Sequence, residues 1–145
     1  MNQVFDVQAG VIGQLQLLLA GVPLFGSSVL EDSVAGVLDS GDDSLPDYMI
    51  VLQEGDTVER ARQTGTCQEE WTLNIVAMTR KANAAASLRT ARLEIKRALK
   101  GVKAGLDVQG LIKVDFPASV VRLPDQGRRW GYRIIPITFT YVQPL

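Results

Sequence analysis

The sequence predicts an α+β domain: an antiparallel or mixed β-sheet, with an N-terminal helix and a second helix at about 83–103 packed on one face. Three observations carry this. Apolar residues recur at helical spacing near the N-terminus and again around residue 90. Elsewhere apolar and polar residues alternate, the period of a half-buried strand. Hairpin-type turn signals separate the strand patterns, so strands outnumber helices, which suits helices gathered on one side of a sheet.

Val4, Val7, Val11, Leu15 and Leu18 form the first helical stripe, widened by Ile12 and Leu19, and Gly21 followed by Pro23 supplies a stop. A helix over about Val4 to Ala20 follows. Gly10 and Gly13 each weaken it by roughly 1 kcal/mol relative to alanine, so packing must hold it. Residues 24–47 read as a long acidic loop, with turn chemistry at Gly26-Ser27-Ser28 and Ser40-Gly41-Asp42-Asp43-Ser44. Val34 to Leu38 reads as a short strand or turn within it. Loops of this length inside a compact domain are uncommon and are usually functional or mobile.

Tyr48 to Leu52 is a short apolar run suited to a strand covered on both faces. Thr57 to Gln63 can pair back across Glu54-Gly55-Asp56. Trp71, Leu73, Ile75 and Ala77 alternate with Thr72, Asn74, Val76 and Met78, and Thr64-Gly65-Thr66 is the expected hairpin turn before them. Asn83 is placed to cap a helix, since its short side chain can accept from first-turn amides. Leu88, Ala91, Ile95, Leu99 and Val102 are that helix's apolar stripe, and Gly101 and Gly105 end or loosen it. Ile112, Val114 and Phe116 give a strand interrupted by Pro117. Val120 to Leu123 continues or returns, and Pro124-Asp125-Gln126-Gly127 is a turn. The last strand spans about Arg129 to Val142, with Ile135, Ile137, Phe139 and Tyr141 on one face and Tyr132, Thr138 and Thr140 on the other. Pro136 cannot donate to a ladder and so marks an edge or a bulge. At 145 residues without an internal repeat, the organisation is a single domain over 1–145.

Charge is segregated along the chain. The first 59 residues hold ten acids and no base; all 15 Lys and Arg follow, beginning at Arg60, with the remaining six acids. The net charge of −1 hides this division. Complementary patches steer molecules together, and when they lie on different faces identical copies can dock head to tail and close into rings. A solvated acidic loop and a solvated basic helix are the alternative. The densest basic stretch, Arg80 to Lys103, has eight bases and one acid, Glu94. Within it Arg89, Arg92, Lys96, Lys100 and Lys103 recur three or four apart, where like charges repel unless a partner neutralises them. The candidate interface set is therefore Asp39, Asp42 and Asp43 on the acidic side, and Arg89, Arg92, Lys96, Lys100, Lys103, Arg128 and Arg129 on the basic side.

Much chemistry is excluded. Histidine is absent, which removes the commonest general base and metal ligand and every Ser-His or Cys-His pair. Cys67 is the single cysteine, and Glu69 and Glu70 nearby oppose thiolate formation, so it is read as an inert thiol. Gly10-Val11-Ile12-Gly13 lies in a helical pattern and lacks the strand that a dinucleotide-binding loop follows. Asp39, Asp42 and Asp43 match no calcium-loop spacing and read as a solvated turn. No catalytic residue, cofactor or metal site is expected. The apolar run Val11 to Val22 is short, is broken by Gln14 and Gln16, and has no basic stretch before it, so neither a signal peptide nor a membrane anchor is expected.

The order of elements resembles the tail terminator, or tail completion, proteins of long-tailed bacteriophages. The likeness rests on the N-terminal helix and long loop and on three stretches. These are Leu45-Pro46-Asp47-Tyr48-Met49-Ile50-Val51-Leu52, Glu69-Glu70-Trp71-Thr72-Leu73-Asn74-Ile75-Val76-Ala77, and Arg129-Trp130-Gly131-Tyr132-Arg133-Ile134-Ile135-Pro136-Ile137-Thr138-Phe139-Thr140-Tyr141. The resemblance implies a non-enzymatic virion protein at the head-proximal end of the tail, assembled in the host cytoplasm. It implies a hexameric ring that caps the tail tube, ends tube growth and offers a surface to the head-side connector or neck protein. DNA passes through the lumen without sequence readout. A lumen that lets DNA pass avoids bases that bind phosphate, so the basic helix is expected at an interface or outside. A head-closure or adaptor ring of the neck is the neighbouring reading. A nucleic-acid-binding domain using the basic helix is the reading from another class, disfavoured by a sequence pI of about 5.4.

Overall fold

A computed structural model describes residues 4–39, 44–122 and 129–145. The elements are α1 (Val7–Leu19), β1 (Val29–Glu31), α2 (Val34–Asp39), β2 (Tyr48–Gln63), β3 (Thr66–Thr79), α3 (Ala84–Ala98), β4 (Leu111–Asp115), β5 (Val120–Arg122) and β6 (Gly131–Pro144). The sheet is mixed, in the order β1-β2-β3-β6-β4, with β5 also on β6. Among the described residues the β1–β2 pair is parallel and the other pairs are antiparallel. This is the α+β class expected.

The main core lies under α1 and α3. Val7, Val11, Leu15 and Leu19 of α1 and Leu88, Ala91 and Ile95 of α3 pack on one sheet face, against Ile50, Leu52, Trp71, Leu73, Ile75, Ile135, Ile137, Phe139 and Tyr141. The alternating residues of β3 and β6 are the ones that turn inward, as a period of two requires. On the opposite face, Val34 and Val37 of α2 join Met49, Val51, Val76, Met78 and Trp130 in a smaller cluster. That second cover explains why Met49 to Leu52 are all buried.

The structure corrects several boundaries. The N-terminal helix begins at Val7, not Val4, because Asp6 caps it: Asp6 Oδ1 accepts from Gln8 N at 3.0 Å and Ala9 N at 3.4 Å. Val4 is exposed. Residues 24–47 are not simply a loop. Ser28 O accepts from Ile50 N at 2.8 Å, and the β1 strand follows in register with Ile50 to Leu52. Val34 to Leu38 is helical, because Gln53 Oε1 accepts from Val34 N at 2.7 Å and Ser33 Oγ from Gly36 N at 3.0 Å. The Asp32-Ser33 pair before an apolar run was the cap signal for it. The expected turns at residues 40–43 and 124–127 lie outside the described residues.

Residues 54–56 do not turn the chain. They form a bulge within one 16-residue strand that pairs along its length with β3. Gly55 fits there because a Cβ would stand 2.7 Å from Thr72 O. The hairpin turn comes at Thr64-Gly65, between the paired Gln63 and Thr66, as expected. Asn83 adopts the left-handed region (φ 63°) and its side chain makes no cap bond. The second helix stops at Ala98, five residues short of the expected 103. Leu99 leaves helical geometry (φ −102°, ψ 66°) and Gly101 takes φ +86°. Val102 is consequently 91% exposed and lies off the apolar stripe. Leu111, not Ile112, is buried, because a register shift between Leu111 and Lys113 turns Ile112 outward. Pro136 sits inside the sheet opposite Asn74, at the seam where the outer neighbour of β6 changes from β4 to β5. Its missing amide is tolerated at that gap.

Three polar clusters tie the layers together. Gln143, buried at the end of β6, accepts from Val7 N at 3.0 Å and donates to Phe5 O and, at 2.9 Å, to Pro144 O. It thereby fixes the entry to α1. Gln143→Leu is expected to cost about 1–3 kcal/mol in urea unfolding, since it strands buried backbone groups. A loss below about 0.5 kcal/mol would show that the helix start is held by other contacts. The Tyr141 hydroxyl accepts from Gln8 Nε2 at 2.7 Å and donates to Glu69 Oε1 at 2.9 Å. Burial, with Glu69 beside it, raises its pKa well above the ordinary tyrosine range. At the other face, Arg80 pairs with Asp47 at 2.9 Å, donates to Leu45 O and lies 5.2 Å over the Trp130 ring. That hydrogen bond, joined by Lys81, lowers the Asp47 pKa.

Candidate interaction site

The described ion pairs are Arg60–Glu70, Arg62–Glu59, Arg80–Asp47, Lys81–Asp47 and Lys113–Asp115. None of them uses a base of α3 or of the turn after it. None uses Asp6, Glu31, Asp32, Glu54 or Asp56. Two sets of opposite sign are therefore left without an ion partner among the described residues.

The basic set divides in two. Arg89, Arg92 and Lys96 lie along one flank of α3, and the Lys96 ammonium stands 5.6 Å over the Phe116 ring beyond β4. Arg92 is half-buried, whereas Arg89 and Lys96 are exposed. Lys100 and Lys103 do not continue this stripe, because the helix has ended; both are exposed in the following turn. Lys100 instead joins Arg97 at a groove of about 810 Å³ between α3 and the C-terminal end of α1. Leu18, Pro23, Leu93 and Ala98 give that groove its apolar walls. Glu94 also lines it, and its Oε2 is buried without a hydrogen-bond partner among the described residues.

The acidic set gathers elsewhere. Asp6, Glu31 and Glu54 line a cleft of about 420 Å³ with Ala9, Ile12 and Gln16 of α1. At 100° per residue, Ala9, Ile12 and Gln16 occupy one flank of α1 and Leu18 the opposite one. The acidic cleft and the basic-rimmed groove thus open on opposite flanks of a single helix. Asp39 is exposed at the end of α2, and Arg129 is exposed just before Trp130. Asp42, Asp43 and Arg128 lie outside the described residues. The sequence reading placed the acidic surface at Asp39, Asp42 and Asp43 and missed Asp6, Glu31, Glu54 and Arg97 as site residues. Asp6, Glu31 and Glu54 converge only because β1 pairs with β2 under α1.

Cys67 is buried, and burial first, then Glu69 and Glu59, pushes its thiol pKa up. Cys67→Ser is expected to leave self-association and any tail-tube binding unchanged in sedimentation; loss of either with an unaltered melting temperature would contradict this. Among the described residues, no three His, Cys, Asp or Glu side chains gather as a metal site, and no helix is long and apolar enough to cross a membrane.

No protein-family model matches the sequence, and no curated protein matches it. Among solved structures, the chain superimposes on one from the virion of a native gene transfer agent particle, with a TM-score of 0.71 and 16% sequence identity. The match covers 95% of this chain and 98% of that one. The two share a fold.

Proposed function

We propose that this protein is a structural component of a phage-like virion and acts as a tail terminator. Copies join head to tail into a ring, six in number by the family resemblance. The ring caps the tail tube, ends its growth and offers its far surface to the head-side connector. Its role is to join and to cap, with no bond made or broken and no cofactor, and DNA passes through its lumen without being read.

The observation that carries this is the pair of oppositely charged surfaces on opposite flanks of α1, neither neutralised by an ion pair among the described residues. A contact between unlike patches is heterologous, and heterologous contacts close into a ring when the rotation between copies allows. The shared fold with a virion chain and the sequence resemblance support the same reading. A neck ring of the head-closure or adaptor type would use the same geometry and differs in what it docks on.

Electron microscopy of the purified protein, alone and mixed with tail tubes or with filled heads, tests the proposal. Rings at one end of the tubes are the expected result. Rings bound only to heads would move the protein to the neck, and a strict monomer in every mixture would end the ring reading.

A further inference from the structure

The groove between α1 and α3 is an apolar trough with a basic rim. Leu93 is 55% exposed on its wall, and Arg97 and Lys100 stand at its edge without ion partners among the described residues. The groove therefore asks for a segment that is acidic and carries an apolar side chain.

One described segment of this protein has both. β1 is an edge strand, paired among the described residues with β2 on one side only. It exposes Leu30 at 39%, and Glu31 and Asp32 follow, with Glu54 lining the same cleft as Glu31. Within one molecule the segment lies on the wrong flank of α1 to reach the groove. In a second copy it is available.

We infer that the β1 edge of one copy docks in the α1–α3 groove of the next. Glu31, Asp32 and Glu54 meet Arg97 and Lys100, and Leu30, which projects from the other face of the strand, covers the exposed Leu93 on the groove wall. This rests on the ring reading and names the contact that builds the ring. The repeat is directional, since each copy offers its β1 edge on one side and its groove on the other.

Two charge-reversed variants of the full chain test it, Arg97→Glu/Lys100→Glu and Glu31→Lys/Glu54→Lys. The first has acids on both contact surfaces and the second has bases on both. Alone, each is expected to self-associate at least about tenfold more weakly than the unaltered protein in sedimentation velocity, because like charges then face each other. Mixed in equal amounts, they are expected to regain association to within about threefold, in alternating order, because every contact again joins opposite signs. Circular dichroism melts check folding. Should a reversal unfold the chain, Arg97→Gln/Lys100→Gln and Glu31→Gln/Glu54→Gln replace the two, each weakening association by several-fold.

Association of either reversed variant at the unaltered strength would overturn the inference, as would a folded mixture that stays monomeric. The ring reading survives both results so long as the unaltered protein forms rings, alone or on tubes. A monomeric unaltered protein under both conditions would overturn both.

Discussion

Trp71→Ala is expected to cost about 3–5 kcal/mol of folding stability, the largest loss for any single substitution considered for this chain. Trp71 is fully buried at the centre of the sheet face that carries both long helices. Its ring lies 5.4 Å from Phe139, the residue opposite it on β6. Removing it deletes that aromatic contact, worth about 0.5–1.5 kcal/mol beyond area, and leaves a cavity under α1 and α3. One term works the other way. The indole N–H has no hydrogen-bond partner among the described residues, so its removal relieves a buried unsatisfied donor, worth about 1–3 kcal/mol. The lower part of the range is therefore expected, and Trp71→Phe should be much milder. Urea unfolding measures both. A loss near zero for the alanine variant would mean that this face is loosely packed, and the two-helix core would need redrawing.

The second large effect belongs to assembly. Lys96→Glu with Lys100→Glu is expected to weaken self-association at least about tenfold while moving the unfolding midpoint little. Both side chains are exposed and neither enters an ion pair among the described residues. The interaction lost among the described residues is the cation–π contact of Lys96 over Phe116, worth about 0.5–1 kcal/mol at an exposed site. The two positions should also differ. Lys100 stands on the rim of the α1–α3 groove, whereas Lys96 faces the other flank of α3. Lys100→Glu alone should then carry most of the loss. If Lys96→Glu alone carries it, the Arg89–Arg92–Lys96 flank is the contact surface instead. An intact assembly with both changes would remove the helix from the interface altogether.

The strands and helices were legible where local pattern and tertiary burial agree. Trp71 to Ala77 and Ile135 to Tyr141 alternate cleanly because one face of the sheet is roofed by helices along their length. Tyr48 to Leu52 was readable as doubly covered because no polar residue interrupts it. What was lost depended on partners distant in sequence. β1 is three residues long and exists because β2 offers it a parallel edge. α2 is held by Gln53, 19 residues away from the Val34 amide it accepts. The bulge at Gly55 resembled a turn because a glycine between two acids satisfies either description, and only the close approach of Thr72 O separates them.

The candidate site followed the same division. The segregation of charge in sequence was visible at once and has a spatial counterpart. Its membership was not, since the heptad-like spacing of Arg89 to Lys103 suggested one continuous stripe. The chain leaves the helix at Leu99, so Arg97 and Lys100 meet at a groove while Lys96 turns elsewhere. On the acidic side, Asp6 and Glu54 are 48 positions apart and share a cleft only through the folded sheet.

The most direct test of copy-to-copy docking through opposite charges is sedimentation of the unaltered protein across a range of salt concentrations. Exposed charges are screened within about 10 Å at 0.1 M salt and about 3 Å at 1 M. Association that is strong at low salt and falls steeply towards 1 M is the expected result. A monomer at every salt concentration, or an oligomer indifferent to salt, would contradict it.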